Sequence, residues 1–208
     1  MRTDGHITYF DFTERDSIVE LLHITKNRQL VHREVQAMFN SSREDSSSLY
    51  RIEEMEDRVR IIVQSNREPN IQASKLFGMA DSVQHGDIGK YYEGLQSGHC
   101  VFFKLETFPF YSFYNEKTKN PTRRFLKNEG KRAEWIRKKL ADAGLKLISF
   151  SEADMGQHFI GKRQTSGHFR AYEFRGRARV VDEEALARYI QTGIGVEKAY
   201  GEGLLLLS

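Results

Sequence analysis

Proton transfer near neutral pH calls first for a histidine, and this chain carries seven. His32 has the most suggestive setting. It lies in RQLVHREVQAMF (28–39), where Val31, Val35, Met38 and Phe39 fall on one apolar helical stripe and the imidazole falls on its flank. Gln29 stands one turn before it and Gln36 one turn after. An amide there can orient a hydroxyl or a phosphate oxygen, while a half-exposed imidazole can exchange a proton with a bound substrate. A surface histidine with no task is the plainer alternative. His23, His85 and His99 have no comparable neighbours, and His168 sits in a basic strand where it can meet RNA. No pair of histidines has H-x-x-x-H spacing, the acidic EEMED (53–57) reads as a hairpin turn, and there is one cysteine, Cys100. Neither a metal nor a cofactor is expected.

The other chemical feature is the ending, GIGVEKAYGEGLLLLS (193–208). A nucleotide-binding glycine loop follows a strand and opens a helix, whereas this one follows a helix and opens a short apolar strand. Dinucleotide and P-loop readings therefore fail. Two readings stay open: the glycines admit a phosphate close to the backbone beside Lys198, or they permit a tight packed connection.

Charge narrows the partner. Residues 1–98 hold 12 Lys/Arg against 16 Asp/Glu, and residues 99–208 hold 20 against 13. Ten of the basic residues fall between Lys117 and Lys139, and six more between Lys162 and Arg179, interleaved with Phe125, Trp135, Phe169 and Tyr172. Such clusters suit a polyanion, because neutralising phosphates releases counterions. Polyanion contacts are expected from Arg123, Arg124, Lys127, Lys131, Arg132, Lys138, Lys162, Arg163 and Arg170, with Gly195 and Lys198 joining from the terminal loop. No apolar run approaches the roughly 18–20 residues of a membrane span, and MRTDGHITYFDF lacks the apolar segment of a signal peptide. A cytoplasmic protein is expected.

The elements that must carry these residues follow from periodicity. HITYFDF (6–12) reads as a strand, 28–39 as a helix, SSLYRIEE and RVRIIVQS as paired strands, 71–79 as a short helix and KYYEGLQ (90–96) as a closing strand. The order then repeats. VFFKLETFPF is a strand, 129–143 is a helix with basic residues on its outer side and Gly144 as its stop, and LKLISFSEA, QHFIGKR and HFRAYEFRGRARVV are strands. DEEALARYIQTG is a helix and GLLLLS the last strand. Two β-α-β-β-α-β runs place the chain in the α+β class as two tandem ferredoxin-like domains, 1–96 and 97–208.

With this layout assembled, the sequence resembles the CasE family, the CRISPR repeat-processing endoribonucleases of type I-E systems. GIGVEKAYGEGLLLL follows that family's G-x-G-x-x-K-x-x-G-x-G-L-L ending. LYRIEE…RVRIIVQSNREP matches its paired strands, and VFFKLETFPF followed by KRAEWIRKKLADAG matches a second-domain strand and helix. The family's catalytic histidine lies in a pattern close to N-P-Y-x-x-H-R. NRQLVHR (27–33) aligns His32 with that histidine and Arg33 with the next residue, and puts Gln29 where the family has tyrosine. The chain also has ETFP where the family has R-A-N-P.

The resemblance implies metal-independent cleavage of a CRISPR repeat RNA 3′ of its hairpin, giving a 2′,3′-cyclic phosphate and a 5′-hydroxyl. His32 is then a proton-transfer group, as base or acid, with Gln29 in the tyrosine's place. Arg33 and Lys162 or Arg163 would stabilise the charged phosphorane. It further implies that the product stays bound as a subunit of the Cascade complex, without DNA contact by this subunit alone. The rival reading is a non-catalytic RNA-hairpin-binding protein of the same fold.

Overall fold

A computed structural model describes residues 4–117, 119–161 and 166–208. The first half runs β1 (His6–Phe12), α1 (Arg15–Thr25), α2 (Arg28–Ala37), α3 (Arg43–Ser46), β2 (Leu49–Glu54), β3 (Val59–Ser65), two 3-10 turns (Ile71–Ala73 and Phe77–Met79), β4 (Ser82–Asp87) and α4 (Ile88–Tyr91). The second half runs β5 (Cys100–Thr107), β6 (Phe110–Asn115), β7 (Asn120–Phe125), α5 (Glu129–Asp142), β8 (Leu145–Gly161), β9 (Ser166–Val180), α6 (Glu183–Thr192), a 3-10 turn (Lys198–Tyr200) and β10 (Leu205–Leu207). The sheets are antiparallel with strand orders β2-β3-β1-β4 and β10-β5-β9-β8. Both are the ferredoxin-like order, a pair of crossing split βαβ units. The chain is thus an α+β protein of two ferredoxin-like sheets, with the β6–β7 hairpin inserted between β5 and α5.

Several expectations need correction. The helix α1 was not anticipated, because it presents one fully buried residue, Leu21, and its N-cap residue Glu14 makes no side-chain cap. Its first turn is capped instead by Asp81, which accepts from the backbone N–H groups of Thr13 (2.6 Å) and Glu14 (2.9 Å) across more than 60 residues of chain. The closing strand of the first sheet is Ser82–Asp87 rather than 90–96. SVQHGD is an edge strand bound to β1 through its backbone with its side chains outward, so it shows no apolar alternation, whereas Tyr92 enters the core from just past α4. Residues 71–79 form two 3-10 turns rather than one helix.

In the second half, Arg123 and Arg124 lie in β7, and the helix starts at Glu129 as its periodicity requires, where the Asn128 side chain accepts from Lys131 N–H (3.0 Å). LKLISFSEA and QHFIG (157–161) belong to one strand, β8, which runs without a break from Leu145 to Gly161. Two register shifts, at Leu147/Ser149 and Asp154/Gly156, interrupt its alternation.

One face of the first sheet (Phe10, Phe12, Tyr50, Ile52, Ile61, Val63) packs under α1 and α2 against Leu21, Val31, Val35 and Met38. The opposite face sends Ile7, Leu49 and Ile62 into the core of the second half, beside Leu186, Ile190, Ile194 and Leu205. Gln64 Nε2 crosses the same seam to donate to the Ile190 carbonyl (2.5 Å).

The polar part of the seam is ionic. Arg51 of β2, 2% exposed, ion-pairs with Glu173 of β9, 1% exposed, and lies 3.8 Å from Glu106 of β5. Lys104 of β5 reaches Glu53 (2.5 Å) and Glu173 (3.6 Å). Deleting one partner of a buried pair leaves the other charge uncompensated, which costs about 3–5 kcal/mol. Arg51→Ala and Glu173→Ala should each destabilise on that scale in urea titrations, and the double variant should lose clearly less than the sum.

Candidate active site

The site grows from the start of α2. Asn27 caps that helix, its Oδ1 accepting from Gln29 N–H (3.1 Å). The same side chain holds the end of β8: Oδ1 accepts from Gly161 N–H (2.9 Å) and Nδ2 donates to the Gly161 carbonyl (3.3 Å). A helix of the first half is thereby sewn to a strand of the second.

The stripe Val31, Val35, Met38 and Phe39 is buried as its spacing requires, and this leaves His32 half-buried at the helix flank. Its imidazole meets Tyr200 edge-on, with ring centroids 6.0 Å apart, and the Tyr200 hydroxyl donates to Gln29 Oε1 (3.4 Å). The structure therefore brings His32 and Gln29 together and adds Tyr200, which the spacing of residues in the sequence did not suggest. Arg33 is exposed on the next flank of the helix, and Gln36 turns away to donate to Ser48 Oγ (2.8 Å).

The terminal loop resolves in favour of close packing at the two positions that matter most. Gly195, at φ +89°, leaves no room for a Cβ, which would stand 2.5 Å from Thr107 Oγ1. Gly201, at φ +94°, lies against the Tyr50 ring, where a Cβ would stand 2.9 Å away. Lys198 is half-buried and donates to the Thr192 carbonyl (2.6 Å), capping the end of α6, and burial lowers its pKa.

Beneath Tyr200 lies a buried polar group that the sequence reading missed. Glu202 is fully buried and accepts from His158 Nδ1 (3.1 Å). His158 Nε2 faces Arg28 Nη2 (3.3 Å), and Arg28 also lies 3.8 Å from Glu106. An arginine can only donate, so Nε2 must accept and the imidazole proton must sit on Nδ1. Burial, with Arg28 adding to it, pushes the His158 pKa down to about 4; burial pushes Glu202 up to about 8, and raises Glu106 as well. Among the described residues, Glu106, His158 and Glu202 also offer ligand atoms within 4.8 Å of one another. The Arg28 guanidinium already stands as the cation of that group, which makes it an ion-paired core rather than a vacant metal cradle. Nothing short-range marks His158, because its burial depends on pairing with Phe169 across the second bulge of β8.

The basic residues divide. Lys127, Lys131 and Lys138 are exposed on α5 and just before it. Arg123 and Arg124 are exposed on β7, stacked over Phe110 (5.3 Å) and Phe113 (4.6 Å), and Arg123 lies 3.8 Å from Glu197 of the terminal loop. Arg132 is buried. It pairs with Glu152, donates to the carbonyls of Leu126 (3.1 Å) and Lys127 (2.6 Å), and stacks on Tyr172, so its guanidinium is consumed internally. Arg170 is exposed but paired with Asp154. Lys162 and Arg163 lie outside the described residues.

Two ferredoxin-like sheets stitched face to face, with a histidine on the stitched helix and a basic face beside it, define the class: a tandem ferredoxin-like protein. The sequence profile of a family described as CRISPR associated protein matches residues 11–208, and the chain belongs to that family. Three solved structures are similar in fold. Thermus thermophilus Cse3, bound to an RNA representing a pre-cleavage complex, is 22% identical with a TM-score of 0.75, covering 99% of each chain. Cas6e from Escherichia coli str. K-12 is 18% identical with a TM-score of 0.70, covering 98% of each. A chain of a CRISPR RNA-guided surveillance complex is 20% identical with a TM-score of 0.66, covering 98% of this chain and 99% of that one. A comparison with curated protein sequences gives no match. Among the described residues, no helix is long and apolar enough to cross a membrane.

The two shifted groups make opposite contributions to stability. His158 is neutral in the fold and binds a proton below about pH 6.5 only when unfolded, so stability rises with pH between about 4 and 6.5. Glu202 keeps its proton in the fold up to about pH 8 but loses it near 4.5 when unfolded, so stability falls with pH over that window. Between about pH 6.5 and 8 His158 no longer contributes, and Glu202 remains with the raised Glu106 beside it. Glu202→Gln should flatten the fall of the melting temperature across that interval; an unchanged slope would refute the assignment.

Proposed function

We propose that the protein is a metal-independent endoribonuclease that cleaves CRISPR precursor RNA within the repeat, 3′ of its hairpin. The observation that carries this reading is His32 on the capped helix α2, half-exposed and edge-on to the Tyr200 ring, whose hydroxyl bonds Gln29, within a fold whose exposed basic residues can grip an RNA backbone. Its solved relatives include one captured with RNA before cleavage and one within an RNA-guided surveillance complex, which supports RNA as substrate and a Cascade-type assembly as destination.

In the proposed reaction the 2′-oxygen attacks the adjacent phosphorus as its proton leaves. The P–O5′ bond then breaks and the departing oxygen gains a proton, yielding a 2′,3′-cyclic phosphate and a 5′-hydroxyl. His32 moves one of these protons. Arg33, with Lys162 or Arg163, would offset the charge on the phosphorane. The first unit, 1–96, supplies the histidine, and the second, 97–208, supplies the grip. Arg123, Arg124, Lys127, Lys131 and Lys138 contact the stem by charge and shape. Arg132, Arg170, Gly195 and Lys198 support that surface through the contacts described above. The protein acts in the cytoplasm and makes no DNA contact of its own. The rival, a hairpin-binding protein without cleavage, draws on one observation: Gln29 cannot titrate.

Incubation with a repeat hairpin RNA in EDTA separates the two. Wild type should cleave it, and His32→Ala should slow cleavage by about 10²–10⁴-fold with affinity retained. Tight binding without cleavage by wild type would establish the rival. Separately, Lys127→Ala with Lys131→Ala should weaken binding uniformly across RNA sequences and lower the slope of log affinity against log salt by about 1 to 2. An unchanged slope would remove α5 from the RNA interface.

A further inference from the structure

His158 has no step in the chemistry above, yet it is the most deeply engaged histidine of the site, with a side chain 10% exposed. Its two nitrogens face two different elements. Nε2 accepts from Arg28 in the first turn of α2, and Nδ1–H donates to Glu202 in the terminal loop. Arg28 precedes His32 by four residues, one helical turn on the same face. Glu202 follows Tyr200 by two residues. The imidazole therefore bridges the segment that carries His32 and the segment that carries Tyr200.

Packing around the bridge reinforces it. Phe169, paired with His158 across β8 and β9, meets the His158 ring edge-on at 5.2 Å and reaches Tyr200 on its other side at 6.4 Å. The buried Tyr50 hydroxyl donates to the Arg28 carbonyl (3.3 Å), and the Tyr50 ring is the surface against which Gly201 is pressed. Three residues further along β8, Gly161 holds the cap residue Asn27. Two attachments spaced about 10 Å along one strand set the direction of the helix as well as its position.

We infer that His158 is a positioning residue: it holds the start of α2 and the terminal loop in register so that His32 and the Tyr200 hydroxyl face one scissile phosphate. Misplacing reacting groups by about 1 Å costs on the order of 10²-fold in rate, so a bridge of this kind acts on the chemical step rather than on RNA affinity. The inference rests on the endoribonuclease reading, and its test is built to fail separately.

Single-turnover cleavage in EDTA and RNA affinity are measured for wild type, His158→Leu and His158→Gln, all well below their melting temperatures. Leucine removes both hydrogen bonds, while glutamine keeps one donor and one acceptor. The rate at saturating RNA should fall about 10- to 100-fold in His158→Leu with affinity held within about threefold, and should largely return in His158→Gln. Because His158→Leu alters a buried site, Arg28→Met is a second route to the same break. It should lose rate to a similar degree, and the two losses should not add. Wild-type rates in both variants, or affinity lost in parallel with rate, would overturn the inference. If wild type itself does not cleave, the endoribonuclease reading falls, and the positioning role is judged by the His32 ring signals in NMR. Those signals should move in His158→Leu and Arg28→Met and hold in His158→Gln; unmoved signals would overturn it.

Discussion

The ion pair between Arg51 and Glu173 is the contact on which the rest of the molecule turns. It joins edge strand β2 of the first sheet to inner strand β9 of the second, with Glu106, Glu53 and Lys104 as its neighbours; Arg51, Glu173 and Glu106 are buried, while Glu53 and Lys104 are partly exposed. Buried charges contribute little net stability compared with apolar residues of the same shape, but they tolerate few alternative arrangements. A purely apolar seam between two antiparallel sheets can slide by a residue or rotate. This seam cannot do so without stranding a carboxylate. Gln64, bonded to the end of α6, fixes the same contact at its other side.

From that register the site follows. Placing β2 over β5 and β9 brings α2, which packs on the far face of the first sheet, with its N-terminal end against β8 and the terminal loop. The Asn27 cap then serves two masters, the helix and the strand end at Gly161. His32 and Tyr200 come from sequence positions 168 residues apart, one from each half. The site is thus a property of the pairing of the halves, and each half alone carries an incomplete set of groups.

The terminal glycines take their meaning from the same pairing. Gly201 lets the chain press on Tyr50 and so delivers Tyr200 to one side and Glu202 to the other. Lys198 caps α6 within that loop. The loop's backbone is occupied in building the site wall, and the exposed positive charge lies outside it on β7 and α5. A division between a packed, charge-balanced interior and an outward basic face suits a protein that must hold a polyanion without being pulled apart by it.

What the sequence by itself determined is what local pattern encodes. The apolar stripe of α2 places His32 on its flank, the acidic start of DEEALARYIQTG marks the last helix, and the doubled order of elements gives two ferredoxin-like sheets. Charge counting locates the basic half. Patterns failed where the stabilising partner is remote: Asp81 holds the entry to α1, β4 pairs with β1 while its own side chains stay exposed, and the bulges of β8 break its alternation. The same cause hid the interior of the site. His158, Glu202 and Arg28 look unremarkable in the chain, and Arg132 looks like one more surface cation until Glu152 and Tyr172 enclose it. Only the tertiary structure decided which polar groups are buried and paired, because burial of a charge is settled by what packs over it, and those residues lie far away in sequence.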